Sequence, residues 1–167
     1  MRVVLLAIVA AAATFAASAQ DRPPAVLEGV EVQAAIPEEP FTPEWDRRPT
    51  GNDFARHYPS AALDRRVPGL AQLCCTPRED RTLDCRVGVA WPSEYPFDRA
   101  SLAVAERFRM TPESYAAFQA TPGAWLQLPI HWRHVSTGAE FDAIAAQIRE
   151  RARGVCRPQP QTSQPAP

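Results

Sequence analysis

The chain has 167 residues and a formal net charge of −1 at pH 7. That balance excludes the one-signed field by which proteins gather nucleic acid or an anionic membrane surface. All 18 basic residues are Arg, and the 18 Pro gather near both ends. Enough chain remains between those ends for one domain with its own core.

Residues 1–19 read as a cleavable export signal. Arg2 precedes an apolar run from Val3, and Ala17-Ser18-Ala19 is the small-x-small pattern a signal peptidase reads, placing cleavage before Gln20. The competing reading is an uncleaved membrane anchor, for which the Ala-rich run is short. Residues 20–49 hold many Pro and Glu and read as a linker, with a candidate short strand inside Val26 to Ile36. The domain proper is expected over residues 50–156.

Thr50 followed by Asp53 resembles a capping box. Pro59 suits the first position of a short helix to Arg66, stopped by Pro68-Gly69. Two strands follow. Ala71, Leu73 and Cys75 form one apolar face, and Leu83, Cys85, Val87 and Val89 another, joined through Arg78-Glu79-Asp80-Arg81 as a hairpin. Asp98 is expected to cap a helix over Arg99 to Arg109, with Leu102, Ala105 and Phe108 inward and Thr111-Pro112 as its end. A third strand runs from about Trp125 to Val135, with Leu126, Leu128, Ile130 and Trp132 on one side. Pro129 marks it as an edge, because Pro lacks a ladder donor. The last helix starts from a Thr137/Glu140 capping box, repeats apolar residues at Phe141, Ile144, Ala145 and Ile148, and is expected to stop at Gly154. From Arg157 the tail is Pro, Gln, Ser and Thr, a composition of disorder.

The four cysteines, Cys74, Cys75, Cys85 and Cys156, read as two disulfides in an exported chain. A zinc site is disfavoured, since no Cys-x-x-Cys pair is present. Vicinal cysteines in a strand face opposite sides, so Cys74 and Cys75 need different partners. A hairpin turn of odd length pairs Cys75 with Cys85 and leaves Cys74 for Cys156. A two-residue turn gives the swapped pattern, Cys74 with Cys85 and Cys75 with Cys156.

Catalytic patterns are sparse. His131 and His134 flank Trp132-Arg133 in a strand and face opposite sides, and His57 stands apart, so no triad arrangement is spelled out. Glu38-Glu39 and Glu79-Asp80 lie in polar stretches without the burial that raises a carboxyl pKa for acid work. No phosphate loop or paired-His zinc motif occurs. Trp125 and Trp132 read as core. The expectation is a protein without catalysis, cofactor or metal, and with neither nucleic acid nor a small-molecule substrate as partner.

Several segments in order resemble the C-terminal domain of the TonB family, its cysteine-bearing subgroup in particular. Trp45-Asp46-Arg47-Arg48-Pro49-Thr50 leads into Tyr58-Pro59-Ser60-Ala61-Ala62, similar to the family's first helix. Gly69 opens a strand, and Asp84-Cys85-Arg86-Val87 is similar to the second. Phe97 to Leu102 with Arg107 to Met110 resembles the second helix, and Leu128-Pro129-Ile130-His131-Trp132-Arg133 the final strand. The resemblance implies an α+β fold: a three-stranded antiparallel sheet with helices on one face, here with an extra C-terminal helix. It also implies a binding module of the periplasm that pairs its last strand, Leu126, Leu128, Ile130 and Trp132, with an extended segment of an outer-membrane receptor or other periplasmic protein, in transmembrane transport. An anchored energy transducer facing the periplasm and a disulfide-stapled structural protein are the alternatives.

Overall fold

The computed structural model describes residues 35–133 and 138–159. The signal segment and its cleavage site, the linker up to residue 34, His134, the Thr137 half of the capping box and the tail from residue 160 lie outside the described residues. The elements in chain order are β1 (Trp45–Arg47), α1 (Gly51–His57), α2 (Ser60–Asp64), β2 (Gly69–Pro77), β3 (Leu83–Trp91), α3 (Phe97–Ala105), β4 (Arg109–Met110), α4 (Pro112–Ala120), β5 (Leu126–Trp132) and α5 (Ala139–Cys156). An antiparallel sheet has the order β3-β2-β5, and β1 with β4 forms a separate two-stranded ribbon. The fold is therefore α+β, as the sequence implied.

The hairpin owes its register to an odd turn. Pro77 pairs with Leu83, leaving five residues, Arg78 to Thr82, between the strands, so Cys75 falls opposite Cys85. The two form a disulfide with Cα atoms 4.1 Å apart. Cys74, on the other face, joins Cys156, closing a sequence separation of 82 residues. Of the two patterns open in the sequence, the odd turn selects this one. A disulfide at Cys74 needs room on β3, and the ladder provides it. Gln72 pairs with Val89 and Leu73 with Val87, so Gly88 is an extra residue on β3, a bulge. A Cβ at Gly88 would lie 3.0 Å from the Cys74 sulfur and 3.2 Å from that of Cys156.

Period-two alternation splits the sheet between two apolar layers. Ala71, Leu73, Cys75, Leu126, Leu128, Ile130 and Trp132 face the main core with Phe97, Ala100, Val104, Phe108 and Met110. Gly69 lets β2 approach that core closely: a Cβ there would fall 2.3 Å from the Phe97 ring. On the opposite face Leu70 meets Phe141, Ala145 and Ile148 of α5, with Val89, Trp91 and Ile144 around them. The extra C-terminal helix thus covers the second face of the sheet and leaves β5 without a further strand beside it. On the α5 face, between Leu70 and Cys74 along β2, the polar Gln72 is fully buried. Its Oε1 accepts from Gln127 Nε2 at 3.1 Å, and the same Gln127 nitrogen also donates to the Arg149 carbonyl of α5.

Several boundaries differ from expectation, each for a local reason. The capping box at Thr50 is present and starts a helix of its own, α1. Thr50 N–H donates to Asp53, Asp53 N–H donates to Thr50 Oγ1, and Tyr58 closes the end. The Thr50 backbone and hydroxyl bonds, followed by Arg56, hold the Asp53 carboxyl down to about 2. Pro59 is the cap of α2 rather than its first residue. α3 begins at Phe97, one residue before Asp98, with Pro96 rather than Asp98 as its cap, and ends at Ala105. Its inner face is Phe97, Ala100, Ser101, Val104 and the expected Ala105, with Phe108 buried just beyond its end and Leu102 only half-buried. Thr111-Pro112 does not merely stop that helix. Thr111 Oγ1 accepts from Ser114 N–H and Pro112 stands at the first position, so the pair starts α4. α5 runs through Gly154 to Cys156, because Arg86 donates to the Val155 carbonyl and the Cys74–Cys156 bond fastens the last turn. The expected linker also ends early. Trp125 Nε1 donates to the Pro37 carbonyl, Phe41 N–H donates to the Trp125 carbonyl, and Trp45 stacks on Phe108 with centroids 4.8 Å apart.

Candidate functional site

β5 pairs with β2 alone, and the geometry of the disulfide tells which of its backbone groups are spare. In an antiparallel ladder, residues directly opposite alternate between bonded pairs about 5.5 Å apart at Cα and unbonded pairs about 4.5 Å apart. The 4.1 Å spacing of Cys75 and Cys85 marks an unbonded pair. Cys75 therefore turns its N–H and C=O the other way, toward Leu126 of β5. The β2–β5 register continues without a shift through Leu73 with Leu128, Ala71 with Ile130 and Gly69 with Trp132. These four β5 residues bond inward. Gln127, Pro129 and His131 direct their backbone groups outward.

Two observations agree with that assignment. Pro129 has no N–H to lose at an outward position. Trp125, of the same parity, turns its carbonyl outward, where Phe41 N–H donates to it at 2.7 Å. The chain thus begins to pair with its own edge at Phe41 and then leaves it, with Pro40 and Pro43 on either side. Beyond that point no backbone bond reaches Gln127, Pro129 or His131 from outside the sheet among the described residues.

Where the two segments diverge lies a groove of about 500 Å³. Gln127 to Ile130 form one wall, and Phe41, Trp45, Phe54 and Phe108 supply the aromatic surface opposite. Among the described residues, Arg48 is the one charged residue lining it. Phe54 continues into a second cavity of about 200 Å³ toward the end of the strand, with Tyr58, His131, Trp132 and Arg133. Phe54 is held there by edge-on contact with Trp132, centroids 5.2 Å apart.

The four residues expected to carry binding are placed differently from that expectation. The side chains of Leu126, Leu128, Ile130 and Trp132 are all buried in the main core, between 1% and 5% exposed. Leu128 and Ile130 still line the floor of the groove, but what the strand offers a partner is the backbone of the alternate set. The signal was present in Pro129. Its missing donor identifies which parity faces outward. Phe41, Trp45, Phe54 and Phe108 were not foreseen as one surface, since only tertiary packing brings the segment from Phe41 to Phe54 against Phe108 and β5.

His131 lies on the α5 side of the same strand. Its ring meets Phe141 edge-on at 5.8 Å, and Nε2 is buried with no hydrogen-bond partner. Burial, then the nearby Arg133 and Arg149, push its pKa below the ordinary 6.5, with Asp142 opposing. The fold therefore favours the neutral imidazole. As pH falls below the ordinary value the unfolded chain takes the proton first, and stability declines until the folded group also titrates. The urea midpoint is expected to begin dropping as pH falls through about 6.5, and His131→Gln to flatten that dependence. An unchanged slope in the variant would assign the effect elsewhere.

Among the described residues, no three His, Cys, Asp or Glu side chains gather as a metal site requires, and no helix is long and apolar enough to cross a membrane. The two disulfides indicate an oxidising compartment. No protein-family model matches the chain, and comparison with curated proteins and with solved structures gives no significant match.

Proposed function

We propose that this chain is an exported, non-catalytic binding module that takes an extended segment of an outer-membrane or other periplasmic protein as a fourth strand beside β5. The observation that carries the reading is the edge itself: outward backbone groups at Gln127, Pro129 and His131, facing an aromatic groove. An added strand draws affinity from main-chain hydrogen bonds and selectivity from pockets for alternate side chains. The groove suits the second role, with Phe41, Trp45, Phe54 and Phe108 as the receiving surface.

The other edge of the sheet is poorly suited to the task. β3 carries a bulge at Gly88 and exposes Asp84 and Arg86, devices that discourage strand addition. The resemblance to the TonB C-terminal family supports the same strand as the contact, a role in transport across the outer membrane, and the periplasm as the location. The oxidised cysteines agree with that compartment.

The test uses the outward parity of residue 131. His131→Pro removes a spare donor without touching a β2–β5 bond, so the protein should keep its circular dichroism and melt cooperatively. Immobilised, it should lose capture of the envelope protein that the wild type retains. A folded His131→Pro variant that binds as well as wild type would reject the strand-pairing reading.

A further inference from the structure

All four cysteines are among the residues lining one open cleft of about 500 Å³, at the end of the sheet where β2, β3 and the last turn of α5 meet. The two disulfides are not equivalent within it. We propose that Cys75–Cys85 is an exchange site for an external dithiol, whereas Cys74–Cys156 is a fixed structural bond.

Access separates them first. A thiolate must reach the attacked sulfur along the disulfide axis. Cys74, Cys75 and Cys156 are 8%, 4% and 7% exposed, whereas Cys85 is half-buried and thus the most open of the four.

Reversibility separates them second. The ladder on both sides of the bond, Leu73 with Val87 and Thr76 with Asp84, holds Cys75 and Cys85 face to face after reduction. Their separation is 10 residues, all within one hairpin. Cys74 and Cys156 lie 82 residues apart, and the second sits in the final helical turn, which that bond helps to fasten.

In the exchange, one thiolate of the dithiol attacks the Cys85 sulfur and Cys75 departs as a thiolate. The second thiol of the reagent then closes on the first, and Cys85 departs in turn. Two electrons and two protons pass from the dithiol to the protein, and the reagent leaves as a disulfide.

Dithiothreitol is the probe, acting on the intact oxidised chain in native buffer. Acid quenching, alkylation and fragmentation spectra that resolve Cys74 from Cys75 follow each sulfur. Cys75 and Cys85 should become labelled at least about tenfold faster than Cys74 and Cys156, with near-ultraviolet circular dichroism preserved. In Cys75→Ser/Cys85→Ser the remaining bond should keep its slow rate. In Cys74→Ser/Cys156→Ser the fast phase should persist. Oxidised glutathione should then restore Cys75–Cys85 without mixed pairings. Opening of Cys74–Cys156 first or at an equal rate would overturn the proposal, as would loss of tertiary signal when Cys75–Cys85 opens. Should either variant fail to fold, the labelling rates of the wild type decide alone.

Discussion

Trp132→Ala is expected to destabilise the protein by about 4 kcal/mol, within the range of about 3–5 kcal/mol for truncating a buried Trp. The side chain is 1% exposed at the end of β5. Phe54, Tyr58 and Phe97 surround its ring with centroids 5.2, 5.4 and 6.1 Å away. It ties α1, the turn into α2 and α3 to the sheet in one contact set. Its Nε1 also donates to Ser101 Oγ at 2.8 Å, with both groups buried. Truncation would open a cavity and strip Ser101 of that partner together. Trp132→Phe keeps one ring in place but removes the donor and the smaller ring that carries it, so a smaller loss than for alanine is expected, with about 1–3 kcal/mol of it from the unpaired Ser101. Urea unfolding with a constant m-value measures both. A cost below about 1.5 kcal/mol for the alanine variant would mean that the site collapses far more readily than its packing implies.

The second large effect concerns the long disulfide. Replacing both Cys74 and Cys156 by Ala releases a sequence separation of 82 residues, and the chain-entropy relation gives about 4.5 kcal/mol for such a loop. Replacing Cys75 and Cys85 releases a separation of 10 residues, for which the same relation gives about 2.7 kcal/mol. The long bond also fastens the last turn of α5, while the short one joins strands already held by their ladder. The Cys74/Cys156 pair should therefore be the costlier to remove. Denaturant midpoints for the two double variants check the order, and the reverse order would contradict it.

The parts of this fold legible in the sequence are those where a period and a chemical constraint coincide. The hairpin was legible because Leu83, Cys85, Val87 and Val89 alternate, and because vicinal cysteines must face opposite sides. β5 was legible from its alternation, and its place at an edge from Pro129. The body of α5 followed from Phe141, Ile144, Ala145 and Ile148, but its end did not. Gly154 resembles a stop, yet Arg86 and Cys74, remote in sequence, hold the helix beyond it.

Short elements escaped for a different reason. β1 and β4 have three and two residues, too few to show a period. α4 was hidden because Thr111-Pro112 ends one segment and starts the next with the same residues. The candidate site was half legible. Its strand could be found, but the outward set had to be read from the ladder, and the aromatic wall from tertiary contacts alone.

Site-directed photo-crosslinking tests the central claim, that β5 is where another protein joins the sheet. A benzophenone side chain at Pro129 lies on the proposed contact, and the same group at Asp84 lies on the opposite edge. Irradiation of intact cells should give an adduct with an envelope protein from position 129 and none from position 84. The adduct should vanish when His131→Pro is added, and peptide sequencing should place it in one extended segment. An adduct from position 84 alone, or one from position 129 that survives His131→Pro undiminished, would contradict strand pairing at β5.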